Sequence, residues 1–287
     1  MEIIREPEAA NGAIPGDSTI WEGAAEHALP MFPAESFRCC VTSPPYWGLR
    51  DYQAKGQIGD EETPCEYIRR LVEVFRQVRR VLTDDGTLWL NVGDCYTSGN
   101  RGYRAPDKKN PVRAMPYRAK TPPGLKPKDL VGIPWRLAFA LQQDGWYLRS
   151  DIVWEKPNCM PESVRDRPTR SHEYVFLLSK SLKYYYDGHS LREFNGRRKR
   201  SVWSIPTEAF PGAHFAMFPP ALVQPCLLAG TRSGDWVLDP FFGSGTVGVV
   251  CEEECRNYVG IELNPDYVAV AANRIRNSAR RLFRVDA

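Results

Sequence analysis

The chain has 287 residues, of which 43% are hydrophobic and 25% charged, and its formal net charge is +3 at pH 7. This length supports a sizeable core, and the composition is ordinary for a globular protein. No apolar run approaches the roughly 20 residues that a membrane-spanning helix needs, and the acidic N-terminus is unlike a signal peptide. We therefore expect a cytoplasmic globular protein that does not associate with membranes.

Eight cysteines and four histidines are present, without a CxxC pair and without the ligand spacing of a metal site. This pattern favours buried free thiols in a reducing compartment over a structural zinc site. The sequence therefore predicts no bound metal.

The predicted elements alternate between strands and helices. The clearest helix covers 63–82, where apolar residues recur at helical spacing and Thr63 forms a capping box with Glu66. The other predicted elements are strands at 37–41, 87–92, 146–156 and 170–181, helices at 133–145, 218–230 and 265–282, and a strand–loop–helix–strand unit within 236–265. This alternation predicts a doubly wound, mostly parallel α/β sheet with helices on both faces.

Two basic segments interrupt the alternation. Residues 101–128 hold nine Lys or Arg and six prolines, and residues 192–200 hold five basic residues and one acid. Neither composition can build a core. Each segment is either a solvated loop or a surface that contacts the phosphates of a nucleic acid.

The stretch GSGTVG, residues 243–248, matches the glycine-rich pattern of adenosine-cofactor sites. Glu262 follows 17 residues after Gly245, at the end of the next predicted strand, where an acid can accept hydrogen bonds from ribose hydroxyls. Spacing alone also fits NAD. However, Asp239 directly precedes the loop, where it would repel a pyrophosphate but suits the amino group of S-adenosylmethionine.

The stretch TSPPYW, residues 42–47, follows the first predicted strand. Its two prolines fix φ and remove two N–H donors, so the loop is stiff and presents carbonyl acceptors. Ser43 adds a hydroxyl, and Tyr46 and Trp47 add flat faces. This set fits a flat, neutral substrate with an amino group, such as a nucleobase flipped out of its stack. The alternative is a proline-rich turn whose aromatic side chains pack in the core.

Together, TSPPY and DPFFGSGT (239–246) resemble the two principal motifs of the DNA amino-methyltransferases, the catalytic (D/N/S)-PP-(Y/F) motif and the cofactor motif. The catalytic motif comes first, as in the circularly permuted β subgroup. The resemblance implies one Rossmann-like catalytic domain over 1–287, with its catalytic half before its cofactor half and with irregular target-recognition insertions. It also implies S-adenosyl-L-methionine as cofactor, double-stranded DNA as partner, a nucleoid location and the possibility of a cognate restriction endonuclease.

The resemblance assigns expected roles to matching residues. The catalytic residues would be Ser43, Pro44, Pro45 and Tyr46. The cofactor-binding residues would be Asp17, Phe215, Ala216, Phe218, Asp239, Phe241, Gly243, Ser244, Gly245, Thr246, Glu262 and Asn264. The target-base pocket would contain Trp47, Trp154, Lys156 and Pro157. The DNA-binding residues would be Arg101, Arg104, Lys108, Lys109, Arg113, Arg118, Lys120, Arg197, Arg198, Lys199 and Arg200.

The expected chemistry is methyl transfer to an exocyclic amino nitrogen. Ser43 and the Pro44 carbonyl would accept the two amino hydrogens, and Tyr46 would stack on the flipped base. Serine at the first motif position resembles the cytosine-N4 enzymes, whereas Asp or Asn more often marks adenine-N6 enzymes. Residues 97–129 are expected to be a DNA-contacting loop, and 158–206 the target-recognition region.

Other functions are kept as alternatives. They are an adenine-N6 enzyme, an RNA or protein methyltransferase, a non-catalytic nucleic-acid-binding protein and an NAD-dependent oxidoreductase.

Overall fold

The computed structural model of the protein describes residues 1–5, 14–48, 54, 56–97, 121–193, 195–208 and 218–285, with side chains up to residue 278. The strands in this part of the chain are β1 Glu2–Arg5, β2 Thr19–Glu22, β3 Phe37–Thr42, β4 Leu82–Val92, β5 Tyr147–Glu155, β6 His172–Ser179, β7 Val202–Ser204, β8 Trp236–Asp239 and β9 Asn257–Glu262. The helices are α1 Ala25–Ala28, α2 Pro64–Val81, α3 Ile133–Gln143, α4 Pro220–Gly230, α5 Thr246–Glu253 and α6 Pro265–Val285.

The described strands form one nine-stranded sheet in the order β1-β2-β9-β8-β3-β4-β6-β5-β7. Every neighbouring pair is parallel except the two pairs that β6 makes with β4 and β5. Eight strands therefore point one way and β6 points the other. The carboxyl ends of the eight lie at one edge of the sheet, which is where open α/β sheets bind ligands.

Helices cover both faces of the sheet, as predicted. Buried side chains of α1, α2 and α3 share one apolar cluster with Cys40 of β3, and those of α4, α5 and α6 share a second cluster with Cys39 and Val41. Successive residues of β3 thus face opposite sides, as the pleat of a strand requires. The expected doubly wound α/β fold is confirmed.

Helix α2 begins where the sequence predicts. Thr63 accepts a hydrogen bond from the backbone N–H of Glu66, and the Glu66 side chain accepts one from the backbone N–H of Thr63, so the capping box is present. Pro64 occupies the first helical turn, where its missing N–H costs nothing. The long, firmly capped helix supports the loop that follows β3.

Three features differ from the expectation. Strands β1, β2 and β7 were not predicted, because segments of three or four residues are too short to show a period. The strand predicted at 87–92 begins five residues earlier, because β4 runs continuously from Leu82. Strand β6 lies inside the sheet between β4 and β5, so the region 158–206 is divided by a core strand.

Every helix in the described ranges is either too short or too polar to span a bilayer. The described side chains also contain no group of three or more His, Cys, Asp or Glu that is placed to hold a metal ion. The eight cysteines are unpaired, and four of them are buried.

Candidate active site

The site lies where the sheet changes its winding direction, between the neighbouring strands β3 and β8. Strand β3 leads to α2 on one face and β8 leads to α5 on the other, which makes the gap between their carboxyl ends a topological switch point. The Thr42 hydroxyl at the end of β3 donates a 2.6 Å hydrogen bond to Asp239 Oδ1 at the end of β8. The two expected motifs are therefore joined directly.

A cavity of about 250 Å³ opens at this point. The loop after β3, the glycine loop after β8 and the end of β9 all contribute to its wall. The predicted residues that line it are Ser43, Pro44, Pro45, Tyr46, Trp154, Lys156, Phe218, Phe241, Gly243, Ser244, Thr246, Glu262 and Asn264. The fold thus brings most of the predicted catalytic, cofactor and base-pocket residues to one space.

The predicted catalytic loop after β3 is anchored by helix α2 and by the loop after β4. The Tyr67 hydroxyl of α2 donates a 2.7 Å hydrogen bond to the Pro45 carbonyl. The Tyr46 ring lies on the backbone of Gly93, where an added Cβ would come within 2.5 Å of the ring. Only glycine at position 93 leaves room for this ring, so the position of Tyr46 depends on the loop after β4.

Tyr46 is also part of a polar network that the sequence did not reveal. Its hydroxyl donates to Glu173 Oε2 at 2.7 Å, lies 3.3 Å from Asn91 Oδ1 and accepts a long hydrogen bond of 3.5 Å from Ser43. The other carboxylate oxygen of Glu173 accepts from the ammonium of Lys156. Asn91 lies on β4, Glu173 lies on β6 and Lys156 directly follows β5, so the side-by-side order of these strands creates the network.

Glu173 is ionised in this network. Burial by itself would raise the pKa of this carboxyl, but the Lys156 ammonium and the hydrogen bonds from Tyr46 and Asn91 hold the pKa below its ordinary value. Lys156 Nζ also lies 4.1 Å from the centroid of the Trp154 ring, a cation–π geometry.

The glycine loop adopts a conformation that suits its residues. Gly243 and Gly245 have φ of 54° and 78°, in the left-handed region that glycine tolerates. Glu262 Oε2 accepts the Gly243 N–H at 2.7 Å, and burial raises the pKa of this carboxyl. A Cβ at Gly248 would lie 2.7 Å from the Phe242 ring, so this third glycine permits close packing.

Asp239 lies buried beneath the loop. Its Oδ1 accepts from the Thr42 hydroxyl and from the Phe241 N–H, whereas its Oδ2 is buried with no hydrogen-bond partner among the described residues. Burial raises the pKa of this carboxyl to about 7. A buried acceptor without a partner is costly. Asp239 Oδ2 would therefore suit a ligand that brings a hydrogen-bond donor, such as the amino group of S-adenosylmethionine.

Three predicted site residues lie elsewhere. Asp17 is exposed before the amino end of β2, whereas the cavity lies at the carboxyl ends, so the structure contradicts its cofactor role. The segment after β2, from Gly23 to Glu26, lines the cavity instead. Trp47 packs in the core with 5% of its surface exposed and donates to the Glu61 carbonyl, so it presents no face to a base. Pro157 is exposed and outside the cavity wall.

Other predicted residues fall outside the described ranges. They are Phe215 and Ala216, and the basic residues Arg101, Arg104, Lys108, Lys109, Arg113, Arg118 and Lys120. In the second basic segment, Arg197, Arg198 and Arg200 are exposed, while Lys199 is half-buried with its Nζ 5.0 Å from the Trp203 ring centroid. None of these four lines the cavity.

Sequence reasoning missed Asn91 and Glu173 of the cavity wall, and it also missed Arg274, which contacts the glycine loop. Asn91 and Glu173 are polar residues within otherwise apolar strands, and that contrast is the signal that marks them. Arg274 of α6 donates to the Thr246 hydroxyl at 2.8 Å and to the Ser244 carbonyl at 3.4 Å. Nothing local marks Arg274, because only the packing of α6 against α5 brings it to the loop.

Comparison with known proteins agrees with this geometry. Residues 37–273 match the protein family described as DNA methylase, N6_N4_Mtase. The chain is 64% identical to the type II methyltransferase M.XycI of Xanthomonas campestris pv. cyanopsidis, over 100% of this chain and 96% of that one. It is 62% identical to M.Cfr9I of Citrobacter freundii, over 98% and 94% of the two chains.

Solved structures share the fold. The PvuII DNA methyltransferase, described as cytosine-N4-specific, superposes with a TM-score of 0.70 at 22% identity, over 95% of both chains. A putative DNA modification methylase from Thermus thermophilus, complexed with S-adenosyl-L-methionine, gives 0.64 at 26% identity, over 91% and 93%. The chain therefore belongs to the N6/N4 family of DNA amino-methyltransferases, which use S-adenosyl-L-methionine as methyl donor.

Proposed function

We propose that this protein methylates the N4 amino group of a cytosine flipped out of double-stranded DNA. The observation that carries the proposal is that Ser43 lines the same cavity as the glycine loop that follows Asp239. A serine oxygen, rather than a carboxylate or an amide, therefore faces the place where an amino group would receive a methyl group. Serine at this motif position is the form that resembles the cytosine-N4 enzymes.

The chain's own residues supply orientation rather than covalent chemistry. The Ser43 hydroxyl oxygen and the Pro44 carbonyl accept the two hydrogens of the exocyclic amino group. Its lone pair is then drawn out of conjugation with the ring and directed along the line of transfer. S-adenosyl-L-methionine, when bound, would supply the methyl group from its sulfonium, and the methylated nitrogen would release one proton to water. Holding both reactants in line can contribute up to roughly 7–11 kcal/mol in well-ordered cases.

The cofactor half binds by complementary polar groups. Asp239 Oδ2, which has no partner among the described residues, accepts from the cofactor's amino group. Glu262 accepts from ribose hydroxyls, and Phe241 and Phe218 add apolar wall. Arg274 keeps the loop in place through Ser244 and Thr246.

The relatives support a proposal about the biological setting. Two proteins named type II methyltransferases match nearly the whole chain at 62% and 64% identity. We infer that this protein is the modification enzyme of a restriction-modification pair with a cognate endonuclease. The exposed residues Arg197, Arg198 and Arg200 and the basic segment 98–120 contact DNA phosphates in this proposal.

Adenine N6 is the alternative target, because both chemistries occur in the family. The test is nucleoside mass spectrometry of DNA incubated with the protein and methyl-labelled S-adenosylmethionine. Label on N4-methylcytosine supports the proposal. Label on N6-methyladenine overturns the choice of base, and label on RNA alone overturns the choice of nucleic acid.

A further inference from the structure

Two polar side chains in the described cavity wall have no hydrogen-bond donor left for a substrate. The Trp154 indole N–H donates to the Ile205 carbonyl at 2.8 Å. The Asn91 amide donates to Glu173 at 3.2 Å and to the Tyr174 carbonyl at 3.1 Å, which uses both of its N–H groups. Neither side chain can donate to a base without breaking a bond that it already makes.

Lys156 is different, because an ammonium has three donors. One donor is engaged by Glu173, and no other described residue accepts from Nζ. The side chain retains 15% exposure and lines the cavity, and it is the one cation among the described wall residues. Its ammonium lies against the Trp154 ring, so the position of the remaining donors is restricted.

The edge of cytosine complements this wall. Its N4 amino group carries two hydrogens, for which Ser43 and the Pro44 carbonyl are acceptors. Next to N4 the ring presents N3 and then the O2 carbonyl, both of which are acceptors and need donors. Enzymes that act on a flipped base read this edge by hydrogen bonds. Adenine has a ring nitrogen beside its amino group but a C–H where cytosine has O2.

We propose that Lys156 donates to the N3–O2 edge of the flipped cytosine, and that Glu173 is the positioning residue that holds the ammonium there. This inference rests on the proposed function and names the group that selects the base.

Glu173 has a second effect, which concerns the charge of the cavity wall. Because the cofactor is itself a cation, a neutral Lys156–Glu173 pair avoids a repulsion that a lone ammonium in the wall would add.

The test asks whether the effect of changing Lys156 depends on the N3 or O2 atom of the target base. Single-turnover methylation is measured on duplexes whose target is cytosine, 3-deazacytosine, which lacks the N3 acceptor, or 2-thiocytosine, whose sulfur accepts weakly. Wild-type protein should lose roughly 10–100-fold on at least one analogue, the range expected for a hydrogen bond to a charged donor. Lys156→Met should methylate cytosine slowly. Its rate on that same analogue should be less than about threefold lower than its own rate on cytosine.

Two further variants separate positioning from folding. Lys156→Met leaves Glu173 without its cation, so the double variant Lys156→Met/Glu173→Gln keeps the wall neutral and is measured in parallel. Glu173→Gln alone should reduce the discrimination between cytosine and the analogue, and it should also weaken cofactor binding, because it leaves a lone ammonium near the cationic cofactor. Glu155→Gln is the matched control, because it makes the same substitution one residue from Lys156, outside the cavity wall. It should behave as wild type.

The outcomes are distinct. If the wild type, Lys156→Met and the neutral double variant all lose the same factor on both analogues, Lys156 does not contact this edge and the inference is overturned. If wild-type protein methylates adenine and not cytosine, the proposed function itself is overturned, together with the O2 contact. If the wild type methylates cytosine and the effect of an analogue disappears in Lys156→Met, the inference and the proposed function are both supported.

Discussion

The two carboxylate oxygens of Asp239 are in different situations. One accepts from Thr42 and Phe241, and the other is buried without a partner among the described residues. Burial is the main cause that raises the pKa of Asp239 to about 7, and the nearby Glu262 carboxylate adds to it. A carboxyl with this pKa changes its charge in the physiological range, and a cationic ligand at Oδ2 would favour its ionised form.

We predict that cofactor affinity increases as the pH rises through about 7, because only ionised Asp239 pairs well with an ammonium. Below that pH the affinity should fall by up to about tenfold per pH unit. Calorimetric titration of S-adenosylmethionine across the neutral range measures this, with Asp239→Asn as comparison. The variant should bind weakly with a flat profile, and an unchanged slope in the variant would contradict the assignment.

The same group affects stability without ligand. Between its ordinary pKa of 3.8 and about 7, the folded protein holds a proton that the unfolded chain has lost. The contribution of Asp239 to stability therefore decreases as the pH rises across that window and is constant above it.

Among the described residues the Ser43 hydroxyl makes one hydrogen bond, a long one of 3.5 Å to the Tyr46 hydroxyl, and Ser43 lines the cavity. We predict that Ser43→Ala lowers the single-turnover rate roughly 10²–10³-fold, the size expected for losing one oriented polar group at a reacting centre, with cofactor affinity unchanged. Ser36→Ala is the control, because among the described residues the Ser36 hydroxyl bonds only the nearby backbone carbonyls of Pro33 and Ala34. Equal loss of rate and cofactor affinity in Ser43→Ala would show a structural role instead.

At the scale of the elements, close packing around Phe242 determines where the glycine loop lies. The Phe242 ring stacks on Tyr258 with centroids 5.7 Å apart and lies over the backbone of Gly260 in β9. Gly248 in α5 faces the same ring. Strand β9 and helix α5 can approach the Phe242 ring in the loop between β8 and α5 because the facing residues, Gly260 and Gly248, have no side chain.

We predict that Gly260→Ala destabilises the protein, because the new Cβ would collide with the Phe242 ring in a buried strand. Overpacking of this kind costs about 1–3 kcal/mol, which urea denaturation would show as a lower midpoint. Gly16→Ala is the control, since a Cβ there meets nothing within 4 Å and its φ is not in the left-handed region. A stability of Gly260→Ala equal to that of wild type would mean that the ring moves freely.

For the whole molecule, the sheet order places the two halves of the site side by side. In the proposed function, strands β2, β9 and β8 carry the cofactor half, and β3, β4, β6 and β5 carry the catalytic half. Residues 96–97, after β4, and residues 129–130, before α3, flank the long basic segment. Its two flanks are tied together by the bridge between Tyr96 and Leu130 and by a 2.9 Å bond from the Thr97 N–H to the Asp129 carbonyl.

Because these flanks are paired, the intervening residues can be replaced without opening the sheet. We predict that replacing 98–120, which contains seven Lys or Arg, by a short Gly-Ser linker weakens DNA binding and lowers the slope of log affinity against log salt. Removing one phosphate contact should reduce the slope by about 0.9. Fluorescence anisotropy at several salt concentrations measures this, and cofactor affinity is the control. An unchanged slope would show that the segment does not contact phosphates.

The sequence by itself determined the features that depend only on residues close together in the chain. Helix α2 was predicted because its cap and its apolar period lie within one segment, and the glycine loop because it requires residues that tolerate positive φ. The α/β class followed from alternation of elements. The two site motifs were visible because each is contiguous and lies at the end of a strand.

Tertiary structure alone decided which side chains from distant segments of the chain come into contact. Glu173, Asn91 and Lys156 become a network because β4, β6 and β5 are adjacent in the sheet, an order that no local pattern reveals. Asp17 and Trp47 were assigned to the site by motif, but strand direction places Asp17 at the opposite edge and packing buries Trp47. Local propensity and spacing fix the elements and the motifs, whereas strand order and side-chain packing fix which groups meet in the cavity.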